Sequence, residues 1–274
     1  MVFISFHTTI YSSLSKNFPV FFVLIFFFNM FKIGKNSWTF RYICVMTEMT
    51  QYMKEYRLQI VSDHLLIESE GGLVLVDTGS PMSFHKDGVI SLCGDAYNVP
   101  RSLMNVNAAY VSDKVGTEVS GLLGMDIIGK YDTLINVHQG TIAFGCNLEG
   151  CSTVPSFTIQ GCIGVYMLVD GKEAKVFVDT GAPTSYIGNS FTNGKVAVDT
   201  VSDFSPMASN ETFETPVYEL SAEFAGKAFT INLGNLPGEL KLMLNALGAD
   251  GAVGMELLKR FPIIISKGQV YIHP

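Results

Sequence analysis

The triplet Asp-Thr-Gly occurs twice in this chain, at Asp77-Thr78-Gly79 and at Asp179-Thr180-Gly181. Each copy closes an apolar β-type run, Leu73 to Val76 in the first and Val176 to Val178 in the second. Ser80 follows the first copy and Ala182 the second, and then comes a proline, Pro81 or Pro183. One carboxylate at a strand end is ordinary, whereas two in matching frames point to a pair. Two carboxylates held close together cannot both ionise cheaply, so they share a proton and supply an acid and a base at one pH.

The elements that must position such a pair are also duplicated. Gly121-Leu122-Leu123-Gly124 lies downstream of the first aspartate and Gly251-Ala252-Val253-Gly254 downstream of the second. A short helical stretch is predicted after each, Met125 to Lys130 and Met255 to Arg260. Each copy then ends in a strand-turn-strand, Thr133 to Phe144 and Pro262 to Ile272. Upstream of Asp77, Leu58 to Ser69 reads as one strand, Glu70-Gly71-Gly72 as a turn and Leu73 to Val76 as the entering strand. Upstream of Asp179, Val165 to Val169 and Ala174 to Val178 read as strands joined by the turn Asp170-Gly171. The interval from 77 to 179 is far longer than a solenoid repeat and matches a small duplicated lobe.

These parts predict an all-β chain with short helices, built as two pseudo-symmetric, small barrel-like lobes with a cleft between them. Lobe 1 is assigned to residues 56–146, a linker containing Gly150 and Pro155 to 147–158, and lobe 2 to 159–274. Each lobe also has a candidate hairpin arm. In lobe 1 it is Val89 to Val99, with Cys93-Gly94-Asp95 near the tip. In lobe 2 it is the longer stretch Val201 to Leu220, read either as a cover over the cleft or as a solvent-exposed hairpin.

Composition narrows the function. The 274 residues suffice for two cores, and 48% hydrophobic against 16% charged content excludes a disordered chain. Net charge is −7 with no Lys/Arg-rich run, so a nucleic-acid partner is not expected. The 5 His are isolated, and the 5 Cys (Cys44, Cys93, Cys146, Cys151, Cys162) show no zinc-type spacing, so no metal and no cofactor is expected. Free thiols are the simplest reading of the cysteines, although Cys146 and Cys151 would close a small loop in an oxidising compartment.

Residues 1–48 stand apart. Phe18 to Phe31 is an apolar run of 14 residues, short of the roughly 20 needed for a helical membrane span. It reads as an anchor, as a signal-type apolar region without a small-residue cleavage site, or as an extension preceding a true start at Met46 or Met49. Lys32, Lys35 and Arg41 would keep the following domain cytoplasmic if the run inserted. A membrane contact is expected only through residues 18–31.

Taken together, residues Tyr56 to Pro274 resemble the aspartic peptidases, and the retroviral-type (retropepsin-like) branch in particular, as two such lobes fused in one chain. The resemblance rests on the two Asp-Thr-Gly triplets and on Leu122-Leu123-Gly124 and Ala252-Val253-Gly254. It implies that Asp77 and Asp179 form the catalytic dyad and that the hydroxyls of Thr78 and Thr180 interlock beneath it. It further implies that Gly79 and Gly181 let the backbone turn close to the carboxylates, and that Gly124 and Gly254 belong to an element crossing behind each aspartate loop. Pro81, Pro183, and Met125 and Met255 after the crossing glycines depart from the family pattern, and neither arm has a Gly-rich or Tyr-bearing tip.

The implied activity is that of an endopeptidase acting on a peptide or protein substrate, with one chain sufficient and with water activated between Asp77 and Asp179. The alternatives are a silent module that binds a peptide or partner, and a scaffold in which both turns are only structural. Ser80 has no hydroxyl counterpart at Ala182. A Ser80 hydroxyl donating to Asp77 would leave Asp77 ionised and Asp179 holding the shared proton.

Overall fold

Alternating apolar residues build hairpins, and in each half the second strand of one hairpin delivers the aspartate. A computed structural model describes residues 21–32, 38–49, 53–205 and 212–274, the first two segments by backbone path only. The fold is all-β with a few short helices. The chain divides into two units, Met1–Tyr52 and Met53–Pro274. In the first, strand Phe21–Lys32 pairs antiparallel with Trp38–Met49, in register from Phe21 opposite Met49 to Lys32 opposite Trp38. The apolar run is thus extended from Phe21 onward, and its residues 18–20 lie outside the described ones. Among the described residues no helix is long and apolar enough to cross a membrane.

In the second unit the two halves follow one plan. In the first, Gln59–Val61 pairs with His64–Ser69, which pairs with Gly72–Val76. In the second, Ser156–Ile159 pairs with Cys162–Val169, which pairs with Lys172–Val178. The first connection in each half is a two-residue turn with both φ values positive, Ser62 and Asp63 (49° and 58°) and Gln160 and Gly161 (51° and 88°). Such turns match the twist of the strands they join. Leu58 to Ser69 is therefore a hairpin and not the single strand read from the sequence. The left-handed turn there uses Ser-Asp rather than a glycine pair, so no punctuation marks it.

Each aspartate strand then gains a parallel neighbour from the crossing element. Val74 and Val76 lie opposite Gly121 and Leu123, and Val176 and Val178 opposite Gly251 and Val253. The crossing strands end in the short helices Met125–Ile128 and Met255–Leu258. Two longer helices, Ala108–Val115 and Gly238–Ala246, precede the crossing strands and were not read from the sequence. The first has ordinary stop and start signals: the Asn107 side chain accepts from the Tyr110 amide (2.9 Å), and Gly116 closes it in the left-handed region.

The halves are sewn together by a six-stranded sheet. Its order is Ser152–Val154, Gln269–Ile272, Ile263–Ser266, Thr133–Asn136, Thr141–Phe144 and Lys54–Arg57. The central seam joins the closing strands of the two halves, with Thr133 opposite Ile265 and Ile135 opposite Ile263. Ile135, Ile263 and Ile265 are fully buried there, and each such side chain contributes roughly 1.5–3 kcal/mol of burial. The stretch read as a linker supplies two strands, Ser152–Val154 to this sheet and Ser156–Ile159 to the second half.

The sheets of the two halves end differently. In the second half Cys162–Val169 pairs on one side with Lys172–Val178 and on the other with Thr212–Phe224, which closes a six-stranded barrel through Gly251–Val253, Tyr186–Ile187 and Lys227–Asn235. The first half has a five-stranded sheet without that closing pair.

Candidate active site

The two Asp-Thr-Gly loops meet, and the parts that hold them are reciprocal. The Asp77 amide donates to Leu123 O and the Asp179 amide to Val253 O, each at 2.9 Å, so each loop hangs from its crossing strand. Thr78 and Thr180 are fully buried. The Thr78 amide donates to Thr180 Oγ1 and the Thr180 amide to Thr78 Oγ1, both at 3.0 Å. Each hydroxyl passes its own proton on across the pair, Thr78 Oγ1 to Val178 O and Thr180 Oγ1 to Val76 O, both at 2.7 Å. Every polar atom of the two hydroxyls is thereby used, which is how a buried hydroxyl avoids its desolvation cost.

The glycines work by close approach. A Cβ on Gly79 would lie 2.4 Å from the carboxyl carbon of Asp179, and one on Gly181 would lie 2.7 Å from that of Asp77. Each glycine therefore backs the opposite carboxylate, and no side chain fits in either place. Gly124 and Gly254 are needed for a similar reason. A Cβ there would press on Met82 O at 2.6 Å and on Ala182 O at 1.9 Å.

Asp77 Oδ1 accepts from the amides of Gly79 (2.9 Å) and Ser80 (3.0 Å), and Asp179 Oδ1 accepts from Gly181 (3.0 Å). Both aspartates are half-buried. Burial, followed by the charge of Asp179, pushes Asp77 up to about 8. Burial raises Asp179 as well, and the Asp203 carboxylate adds to that rise. Desolvation outweighs the backbone donors in both cases. The pair titrates as a unit, and both shifts favour a shared proton.

The expected division of labour through Ser80 does not hold. The Ser80 hydroxyl donates to Met82 O at 2.8 Å, away from Asp77. Asp77 receives the Ser80 backbone amide instead, and an amide is equally present at Ala182. The hydroxyl is drawn off because Pro81 turns the chain and brings the Met82 carbonyl within its reach.

Several neighbours were missed at the sequence level. Ser83 and Ser185 are fully buried and accept the amides of Gly124 (2.8 Å) and Gly254 (3.0 Å), tying each aspartate loop to its crossing element. A signal for them existed, since the repeat extends to Asp-Thr-Gly-x-Pro-x-Ser followed by an aromatic residue, Phe84 or Tyr186. Cys162 donates its thiol to Gly79 O at 3.2 Å, and burial pushes that thiol up to about 12. The cysteines whose side chains are described, Cys93, Cys146, Cys151 and Cys162, are all free. The Cys44 side chain lies outside the described residues.

Both arms are hairpins, and the second extends past the bounds 201–220 read from the sequence. In the first half, Val89–Leu92 pairs with Asp95–Asn98. In the second, Asp199–Phe204 pairs with Thr212–Phe224, from Asp199 opposite Val217 to Phe204 opposite Thr212. The tip of the second arm, residues 206–211, lies outside the described residues. Among the described residues no group of three or more His, Cys, Asp or Glu is placed to hold a metal ion. Compared with known proteins, the chain matches no protein-family model and no curated protein sequence.

Proposed function

We propose that this chain is an aspartic-type endopeptidase of the retropepsin-like kind, acting with a water held between Asp77 and Asp179. The observation that carries this reading is the reciprocal lock of the two Asp-Thr-Gly loops, four hydrogen bonds with each glycine set against the opposite carboxylate. A pair of structural turns needs no such mutual contact. The raised proton affinity of the dyad supports the same reading, because the chemistry needs one protonated and one ionised carboxyl together.

The ionised carboxylate takes a proton from the water as the water oxygen attacks the scissile carbonyl carbon. The protonated carboxyl donates a hydrogen bond to the carbonyl oxygen, which becomes the hydroxyl of a tetrahedral gem-diol. Collapse of that intermediate breaks the C–N bond, with a proton delivered to the leaving amine. The fixed backbone donors to both Oδ1 atoms hold the carboxyl planes, so little reorganisation accompanies the step. An extended substrate would pair through its backbone with the second arm, in the manner of strand addition.

The test is incubation of the full chain with a mixed peptide library from about pH 3 to about pH 9, beside Asp77→Asn and Asp179→Asn. Cleavage by the parent and loss in both variants is the expected result. A parent that binds peptides but cleaves none at any pH would replace the enzyme with the binding module.

A further inference from the structure

Successive residues of the second arm touch opposite halves. Asp203 Oδ2 accepts from the hydroxyl of Tyr186, which belongs to the second half and stands just beyond its Asp-Thr-Gly loop. The next residue, Phe204, stacks on the ring of His64 in the first half, with centroids 6.3 Å apart and planes at 29°. Lys114 Nζ lies 5.9 Å from the same Phe204 ring and pairs with Asp113 at 3.7 Å. His64 is only 3% exposed and both its ring nitrogens lack a partner among the described residues. Ser205, the last described residue before the tip, is buried. The outer end of this strand is thus fixed to both halves.

Through Tyr186 a third carboxylate, Asp203, is held near enough to Asp179 for its charge to act on it. Asp203 Oδ1 accepts the Phe204 amide at 2.7 Å, and Oδ2 the Tyr186 hydroxyl. Among the described residues no cation forms an ion pair with Asp203. Tyr186 is itself 6% exposed, so the carboxylate is oriented by a fixed donor rather than left to swing in water. Asp203 as a residue is half-buried. A fixed, unneutralised anion at the wall of a partly desolvated site attracts a cation more strongly than the same anion in bulk water. The chain's net charge of −7 acts in the same direction at long range.

We infer that Asp203 is a specificity-determining residue that selects peptides carrying a lysine or arginine side chain beside the scissile bond, with Tyr186 as its positioning residue. The inference rests on the endopeptidase reading for what the bound peptide undergoes, but not for the binding preference itself. The substrate's ammonium or guanidinium would supply the positive charge that the three carboxylates lack. Arginine could bond the carboxylate through both of its terminal nitrogens, and lysine through one.

The test pairs peptides that are identical except for Lys or Arg against Gln or Met at positions next to the cleaved bond. Cleavage by the full-length parent is compared with Asp203→Asn and Asp203→Glu. Binding of the same peptides is measured by fluorescence anisotropy in the Asp77→Asn background, with and without Asp203→Asn. The expected result is a preference for the basic peptides of about tenfold or more in kcat/KM and in binding. Asp203→Asn should abolish it and Asp203→Glu should keep most of it, while the neutral peptides change little. A parent that cleaves without favouring basic peptides, or a preference that survives Asp203→Asn, overturns this inference and leaves the endopeptidase reading standing. A basic preference in binding that depends on Asp203, with no cleavage at any pH, supports the inference and removes the endopeptidase reading. Absence of any discrimination in binding as well as cleavage overturns it outright.

Discussion

The two arms began from equivalent places in the two halves and have opposite surroundings. In the first half, Ile90 and Leu92 on one arm strand are buried in the core. The turn between the strands is fixed by the Cys93 amide donating to the Tyr56 hydroxyl at 2.8 Å. The second strand is fixed by a hydroxyl-to-hydroxyl bond between Tyr97 and Tyr131, with Lys130 Nζ 4.4 Å from the Tyr97 ring. This arm is part of the wall. In the second half, Asp199–Phe204 is largely exposed or half-buried along its length, and its strongest described contacts, through Asp203 and Phe204, lie at its outer end. The two halves are thus alike at the floor, where the two loops need each other, and unlike in their arms.

That contrast can be broken at its equivalent part first. If the floor is symmetric in function, Asp77→Asn and Asp179→Asn should each lower kcat/KM by at least about a thousandfold, measured on any peptide the parent cleaves. A variant that kept near-parent activity would make the halves unequal at their centre. Next in size is the threonine lock. Thr78→Val and Thr180→Val each remove a buried hydroxyl and leave an amide and a carbonyl without partners, and each should cost about 2–4 kcal/mol by denaturant unfolding. Because the hydroxyls serve one network, the double variant should cost clearly less than the sum of the two.

The dyad also predicts how stability follows pH. Asp77 rises from 3.8 to about 8 on folding, so the folded chain keeps a proton that the unfolded chain has released. Its contribution to stability is therefore complete below the unfolded value and fades as pH rises toward about 8. Within that window the loss is up to about 1.4 kcal/mol per pH unit for one proton. Melting temperatures taken across the window should fall with rising pH in the parent and less steeply in Asp77→Asn, where only the burial of Asp179 remains. A parent curve as flat as the variant's would show that the carboxylates are not coupled through burial.

The smallest effects should separate the arms. Tyr97→Phe deletes one half-buried hydroxyl bond and should cost about 1 kcal/mol of stability with kcat/KM unchanged. Phe204→Ala, on a strand with little core behind it, should leave the melting temperature within a degree or two while shifting KM by about threefold or more. The same pair of measurements on both variants decides the matter, and a reversed pattern would mean that the first arm is the cover.

Much of this was written in local sequence. The apolar strands before Asp77 and Asp179, the crossing glycines and the closing strands follow from alternation over short spans, and they fold as read. The Asp170-Gly171 turn is equally legible. The Ser62-Asp63 turn was not, because its left-handed residues are not glycines. Helix Ala108–Val115 was overlooked although Asn107 and Gly116 bracket it. The direction of the Ser80 hydroxyl depends on which carbonyl the Pro81 turn brings near, and the reach of Asp203 and Phe204 depends on where a whole arm lands. Both are tertiary facts, and neither leaves a mark in the neighbouring residues.

The seam between Thr133–Asn136 and Ile263–Ser266 has a kinetic consequence. Because one chain supplies both edges of that sheet, bringing the aspartates together is a first-order folding event with no encounter between molecules. Specific activity should therefore be independent of dilution, down to concentrations at which an assembly of two separate lobes would have come apart. The same continuity leaves each copy of the motif free to mutate alone, so the arms could become unlike without any change in the floor.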